Sequence, residues 1–318
     1  MNIRFFRNIA CGLALAAAGT AHASWPDHTI TVVAPWAAGG NADIHARLFA
    51  KVMSEKLGQP VVVENRSGAG GMVGALYVSH AKPDGYTFLL GAFANMLGEF
   101  FHREKTLSVE RDLAPVAQLT NIPNYIAVSP KSKYSSFKQL LDEAKADPKQ
   151  VTCATPGVGT AAHLVCAIIN KDAGTHIETI PYRGGVPAIM DVISGRVTFY
   201  AGNESLPYIQ DGRLKGLAIT SLKRSTLAPD LPPVSDVLSG YNVNSWYGMF
   251  APKGTPKEVL ERVSSIVDQA MKDPKIRDQL AKLGAVPVGS TPDQFKKFIK
   301  SENQRWAPIA KSLDIHLD

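Results

Sequence analysis

Short apolar runs alternate with amphipathic stretches along most of the chain. Ile30–Ala34 reads as a buried strand that empties into the turn Pro35-Trp36-Ala37-Ala38-Gly39-Gly40-Asn41-Ala42-Asp43. A helix follows, with Ile44, Leu48, Phe49, Val52, Met53 and Leu57 on one face and Arg47, Lys51, Glu55 and Lys56 on the other. Asn41 or Asp43 can cap it and Gly58 stops it. Strands are predicted over 60–64 and 86–90, separated by the turn Gly68-Ala69-Gly70-Gly71 and a helix reaching about His80. Residues 91–95 read as a loop leaving the third strand, on the same edge of the sheet as the first turn. Further strands are predicted over 115–119 and 124–128.

The pattern then restarts. A helix over 136–146 and a strand over 151–154 lead into a second glycine loop, Thr155-Pro156-Gly157-Val158-Gly159-Thr160, and a helix over 161–170. Next come a strand over 178–181, the turn Tyr182-Arg183-Gly184-Gly185, a helix over 186–194, and a strand over 197–201 leaving through Gly202-Asn203. A late strand is predicted over 214–220, a Pro- and Ser-rich loop over 230–241 and a strand over 245–251. Helices close the chain over 256–271, 274–283 and 291–313, with Pro256, Pro274 and Pro292 at their starts. Strands alternating with helices through short turns predict an α/β protein built on parallel, doubly wound sheets.

The two glycine loops share one local physics. A strand that runs through glycines into a helix start presents free N–H groups and the positive end of the helix dipole, which together favour an anion. Neither loop contains Arg or Lys, so an anion there would be held by backbone N–H groups, the Thr155 and Thr160 hydroxyls and water. His45 and His163 fall at matching places just inside the following helices; they read as ordinary first-turn residues or as groups lining a cleft. Arg183 reads as a support for its loop. Gly68, Gly70, Gly71 and Gly74 do not make a dinucleotide fingerprint, since Val73 occupies the place of its last glycine. There is no G-x-S-x-G, H-E-x-x-H or C-x-x-C motif and no histidine pair at metal-ligand spacing, so we expect neither an enzyme nor a metal or other cofactor.

Residues 1–23 read as an export leader: Arg4 and Arg7, an apolar run, then Ala21-His22-Ala23, with cleavage expected near Ala23/Ser24. Removing them leaves about 295 residues, room for two ordinary domains. The formal charge of +6 drops by the two leader arginines, and the remaining charges are scattered. A nucleic-acid partner is not expected, for no basic stripe with interleaved aromatics occurs. Cys153 and Cys166 are the cysteines left in the mature chain. One is placed at a strand end and the other inside the next helix, and the demands of disulfide geometry argue against a bond between them.

Several motifs occur together in order. Trp25-Pro26-Asp27 and Pro35-Trp36 with Gly39-Gly40 and Asp43 open the series, followed by Gly58-Gln59-Pro60, Glu64-Asn65-Arg66, Gly68-Ala69-Gly70-Gly71 and Pro83-Asp84-Gly85-Tyr86-Thr87. Gly157-Val158-Gly159-Thr160 with His163-Leu164, Pro181-Tyr182-Arg183-Gly184, Gly212-Arg213-Leu214-Lys215, Trp246-Tyr247-Gly248 and Ala251-Pro252 complete it. The chain resembles the Bug-type receptors, the periplasmic substrate-binding proteins of tripartite tricarboxylate transporters. That resemblance implies a type II periplasmic-binding-protein fold: residues 24–123 with 246–318 as domain 1, 124–245 as domain 2, and a ligand cleft between them. It implies a carboxylate pinched between the glycine loops, at Trp36, Ala38, Gly39, Gly40, Asn41 and Asp43 on one side and Thr155, Gly157, Gly159 and Thr160 on the other. Ala92, Phe93, Asn95, His163, Tyr182 and Asn203 are the neighbouring candidates. The implied partners are a small carboxylate and the permease subunits of a membrane transporter, with a membrane sensor as the alternative recipient; a monomer is expected. Trp36 departs from the family's usual Phe or Tyr, and Phe93 from its small polar residues. Together they suggest an aromatic wall, which would admit an aromatic carboxylate beside di- and tricarboxylates.

Overall fold

The computed structural model describes residues 25–101 and 106–313; the expected leader lies outside them. The chain order is β1 (Ile30–Ala34), α1 (Asn41–Leu57), β2 (Val61–Asn65), α2 (Met72–Ser79), β3 (Thr87–Ala92), α3 (Phe93–Phe101), α4 (Val109–Asp112) and β4 (Leu113–Ile122). There follow β5 (Tyr125–Val128), α5 (Phe137–Ala146), β6 (Thr152–Thr155), α6 (Ala161–Ala173), β7 (Glu178–Pro181), α7 (Gly185–Ser194), β8 (Phe199–Gly202), α8 (Leu206–Gln210) and β9 (Lys215–Ile219). The chain then runs through β10 (Ser245–Pro252), α9 (Lys257–Ala270), α10 (Pro274–Lys282), β11 (Val286–Pro287) and α11 (Pro292–Leu313). None of the helices among the described residues is long and apolar enough to cross a membrane.

Two sheets result. The first has the order β11-β4-β10-β3-β1-β2 and the second β7-β6-β8-β5-β9. They are mixed rather than wholly parallel. Strands joined through helices are parallel, as β1 is to β2 and β3, and β6 to β7 and β8. By contrast β10 runs against both β3 and β4, and β5 against both β8 and β9. Parallel pairing needs a crossover connection that returns to the same sheet. The strands β5 and β10 instead bring the chain in from the other sheet, so no such crossover holds them to the parallel direction.

Three local expectations are corrected. On α1, Ile44 is 42% exposed and Leu48 half-buried, while Asp43, His45 and Ala46 turn inward. The inward stripe is Ala42, Ala46, Phe49, Met53 and Leu57, so two alanines carry what the larger Ile and Leu were expected to. Residues 91–95 are not an open loop: β3 continues to Ala92 and α3 starts at Phe93, burying Phe93, Met96, Leu97 and Phe101. Cys153 and Cys166 are disulfide-bonded, with a Cα separation of 6.5 Å that lies within the range a bridge can span. The helix α6 folds straight back over its own strand β6, and this brings the second cysteine over the first.

The main apolar core is continuous across the two sheets. Val33, Leu89 and Phe93 from the first belong to the same buried cluster as Ile126, Cys153 and Phe199 from the second.

Candidate functional site

The two glycine loops lie on edges of the sheets that face the joint between them. In the first sheet, Tyr247 near the start of β10 pairs with Ala92 at the end of β3, and Ser245 pairs with Ile122. In the second, Tyr125 at the start of β5 pairs with both Gly202 and Ile219. The chain therefore crosses between sheets beside the carboxyl ends of β3 and β8, the edge where open α/β sheets bind ligands. β1 and β6 open into their loops on those same two edges.

In the first loop, Gly40 is the N-cap of α1 and no side chain caps the helix. The positive end of α1 is thus left for an outside acceptor. Asp43, expected as a ligand contact, braces the loop from within. Its carboxylate accepts from Gly39 N (2.9 Å), Arg47 Nε (2.9 Å) and Asn65 Nδ2 (2.9 Å). Burial would raise its pKa, but these donors outweigh that and hold it below the usual value. Asn65 Nδ2 also donates to Trp36 O at 3.0 Å, so Arg47 and Asn65, absent from the expected site, fix the turn. The signal for Asn65 was the Glu64-Asn65-Arg66 motif at the end of a strand beside β1.

Trp36 packs edge-on against Tyr247, ring centroids 6.4 Å apart, and His45 lies on the other part of that tyrosine at 4.6 Å. His45 is 0% exposed; its Nδ1 donates to Asn41 O at 2.8 Å, and burial pulls its pKa down to about 4 against the opposing effect of that carbonyl. Burial, and then the charge of Glu204 from the second sheet, push the Tyr247 hydroxyl pKa up. Tyr247 therefore feels groups from both sides of the joint. Its place in the strand that returns to the first sheet was the available sign of its importance.

The aromatic wall is corrected in one half. Phe93 is buried against Trp306 (4.9 Å) and Trp246 (6.4 Å), inside the core, which leaves Trp36 with Tyr247. Asn95 is a clamp: its Oδ1 accepts from Ala92 N (2.9 Å) and its Nδ2 donates to Gly71 O (3.0 Å). Ala92 is buried at this strand end, and Ala38 is exposed on the turn.

In the second loop Thr160 caps α6. Its Oγ1 accepts from His163 N (3.3 Å) and donates to Gly157 O (2.8 Å), so this hydroxyl braces the loop from within. His163 Nδ1 accepts from Gly159 N at 3.3 Å, and burial lowers its pKa. Tyr182 N donates to Thr155 O, and its hydroxyl is tied to Asp191 at 2.8 Å. Thr155 is fully buried with its Oγ1 unpartnered. Asn203, half-buried, follows β8 on the same edge. A separate groove of about 920 Å³ lies at the start of β4, between α9 and α11, with Lys253, Lys257 and Lys296 facing Glu261, Asp268 and Asp293. It is at the opposite edge from the glycine loops, and its charges nearly balance.

Comparison with known proteins gives a consistent picture. The family described as "Tripartite tricarboxylate transporter family receptor" matches residues 45–315. Protein BugT of Bordetella pertussis is 34% identical over 313 residues, covering 94% of this chain and 95% of that protein. R. palustris Rpa4515, solved with adipate, is 30% identical with a TM-score of 0.80, covering 92% of this chain and 99% of that one. MatC from Rhodopseudomonas palustris, solved with bound malate, is 28% identical with a TM-score of 0.77, covering 90% of this chain and 100% of that one. The two sheets joined by crossing strands are the two-domain type II periplasmic-binding-protein fold, and the chain belongs to the tripartite tricarboxylate transporter receptor family.

Proposed function

We propose that this protein is an exported receptor that takes a small carboxylate between its glycine loops and delivers it to the membrane subunits of a tripartite tricarboxylate-type transporter. The observation that carries the reading is the pairing itself: two strand–glycine–helix units on facing edges, with no Arg or Lys in either loop. Helix starts attract a carboxylate. Without a fixed cation the ligand is held by N–H groups and water, which suits a receptor that must release it. The carboxylates named with two relatives, adipate and malate, support the class.

On this reading the backbone at Gly39, Gly40 and Asn41 meets the ligand from domain 1, with Trp36 and Tyr247 as the apolar wall. Gly157, Gly159 and Asn203 meet it from domain 2. Asp43, Asn95, Thr160, His163 and Tyr182 hold the loops in place. Residues 24–123 with 246–318 close on 124–245 about the two crossings, and closure is driven by contacts that exist on both sides only when closed. The compartment is the periplasm, reached through the leader at 1–23.

The test is a thermal-shift panel of mono-, di- and tricarboxylates, aliphatic and aromatic, with amides, amines and sugars as controls. A carboxylate at about a hundred times its Kd should stabilise the fold by roughly 2.7 kcal/mol. A shift with the controls and none with any carboxylate overturns the reading.

A further inference from the structure

The last helix, α11, is the longest among the described residues: 22 residues, about 33 Å, with Pro308 in its interior. Proline has no N–H to donate to Gln304 O, and its ring crowds that carbonyl, so the helix ladder is interrupted at this point. The two sides of the break have different neighbours. Before it, Phe295, Ile299 and Trp306 are buried; Trp306 packs on Phe93 of α3 and its Nε1 donates to Glu302 Oε2 at 3.1 Å. This part of α11 belongs to the first sheet. Past the break the helix meets α6, which opens at the second glycine loop. Ser312 Oγ accepts from Lys171 Nζ at 2.9 Å, and Ile309 and Ile168 line one crevice of about 130 Å³.

The rest of that crevice is walled by residues 240–243, the segment that leads the chain back to the first sheet. Arg305, three residues before the proline, donates to Asn242 O in this segment, and the Tyr241 hydroxyl donates to Val165 O of α6 at 2.9 Å. Helix α11, a crossing and α6 therefore meet at one place, and the interruption in α11 lies where it passes from one sheet to the other. Close packing is the rule in protein interiors, so a crevice here marks a contact whose sides are free to shift. Lys171 and Ser312 are exposed, so parting them buries no unpaired group. We propose that the turns of α11 beyond Pro308 are a strap on α6 that limits the swing of domain 2 on domain 1, with Pro308 as its bending point. The inference rests on the domain closure of the receptor reading, and not on which carboxylate is bound.

Pulsed electron resonance distances on the mature chain test it. Spin labels go on Lys51→Cys of α1 and Lys138→Cys of α5, exposed positions in the two domains; Lys51→Cys with Lys257→Cys, both in domain 1, is the control pair. Cys153 and Cys166 are bonded to each other and take no label. Releasing the strap with Lys171→Ala/Ile309→Ala should broaden the interdomain distance distribution and leave the control distance as it was. Pro308→Ala restores the missing N–H, so it should raise the melting temperature, narrow the interdomain distribution and reduce its shift on adding malate or adipate. A purely structural proline would give the higher melting temperature alone. Wild-type distances that spread or shift but stay the same in both variants overturn the strap and leave the receptor reading standing. One narrow interdomain distance in the wild-type protein and in every variant, unmoved by malate or adipate, overturns domain closure and the strap with it.

Discussion

Asp43 and His45 lie two residues apart near the start of α1, and both are buried for opposite reasons. Asp43 is charged and surrounded by donors; His45 is neutral and kept so by the apolar contacts around it. Removing the carboxylate in Asp43→Ala leaves Gly39 N without its acceptor and frees Asn65 and Arg47, so the turn carrying Trp36 loses its anchor. Charge-assisted hydrogen bonds of this kind stabilise more than neutral ones, and the variant should lose about 2 kcal/mol in urea unfolding together with most of its ligand affinity. His45 predicts a pH effect. Its folded pKa, about 4, lies below the unfolded value near 6.5, so between those values the unfolded chain binds a proton that the folded one refuses. Stability therefore falls as the pH is lowered through that window, by up to about 3 kcal/mol for the full shift. Tyr247, the titratable ring against it, is neutral throughout this range, while Asp43 contributes only at lower pH, since its own folded pKa is depressed. Urea midpoints measured from pH 7 to 4 should show the slope in the wild-type protein and a flatter one in His45→Leu.

The first loop shows what a pattern of residues can and cannot convey. That strand, glycines and helix follow one another was legible, because periodicity and glycine placement are local. Which glycine matters was not. Gly40, the helix N-cap, has φ −79° and room for a Cβ, whereas Gly39 has φ +81°, in the left-handed region. Gly71 is tighter still: a Cβ there would lie 2.9 Å from both Asn95 Nδ2 and Trp36 Cζ2, at φ +96°. Alanine at 71 should push the Trp36 ring and the α3 clamp apart and weaken ligand binding at least tenfold, whereas Gly40→Ala should bind almost normally; calorimetry on the two variants separates them. The internal partners of Asp43, Asn95 and Thr160 were not legible either, for a physical reason. Polar residues at a helix start can serve a ligand or the loop itself, and only the tertiary partners, such as Asn65 and Gly71, decide between these. The parallel sheet was overextended in the same way, since strand direction at the crossings depends on where the chain goes next. The disulfide shows the converse case. Bridging residues 13 apart in sequence, Cys153 to Cys166, closes a loop whose entropy corresponds to about 3 kcal/mol. The double variant Cys153→Ala/Cys166→Ala should lose about that much stability.

Two sheets, two crossings and a continuous core leave open how independently the halves of the molecule unfold. The proposed hinge closure needs them to move relative to each other, yet Ile126, Cys153 and Phe199 share one buried cluster with Val33, Leu89, Trp246 and Trp306. The crossings are also tied. Asn124 Nδ2 donates to Val243 O (2.9 Å), its own N–H donates to Thr220 Oγ1 (2.9 Å), and Val243 N donates to Thr220 O (3.2 Å). On the receptor reading, closure turns the halves about these two short tied segments. The chain offers a direct probe. Its tryptophans, Trp25, Trp36, Trp246 and Trp306, all belong to the first sheet and the helices packed on it, so their fluorescence reports on that half while far-ultraviolet circular dichroism reports on both. A shared core predicts coincident fluorescence and dichroism transitions in urea. It also predicts that the Cys153→Ala/Cys166→Ala change, made wholly within the second half, shifts the tryptophan midpoint as far as the dichroism midpoint. If the tryptophan curve stays where it was while the dichroism curve splits, the halves unfold independently and the shared core contributes little to their coupling.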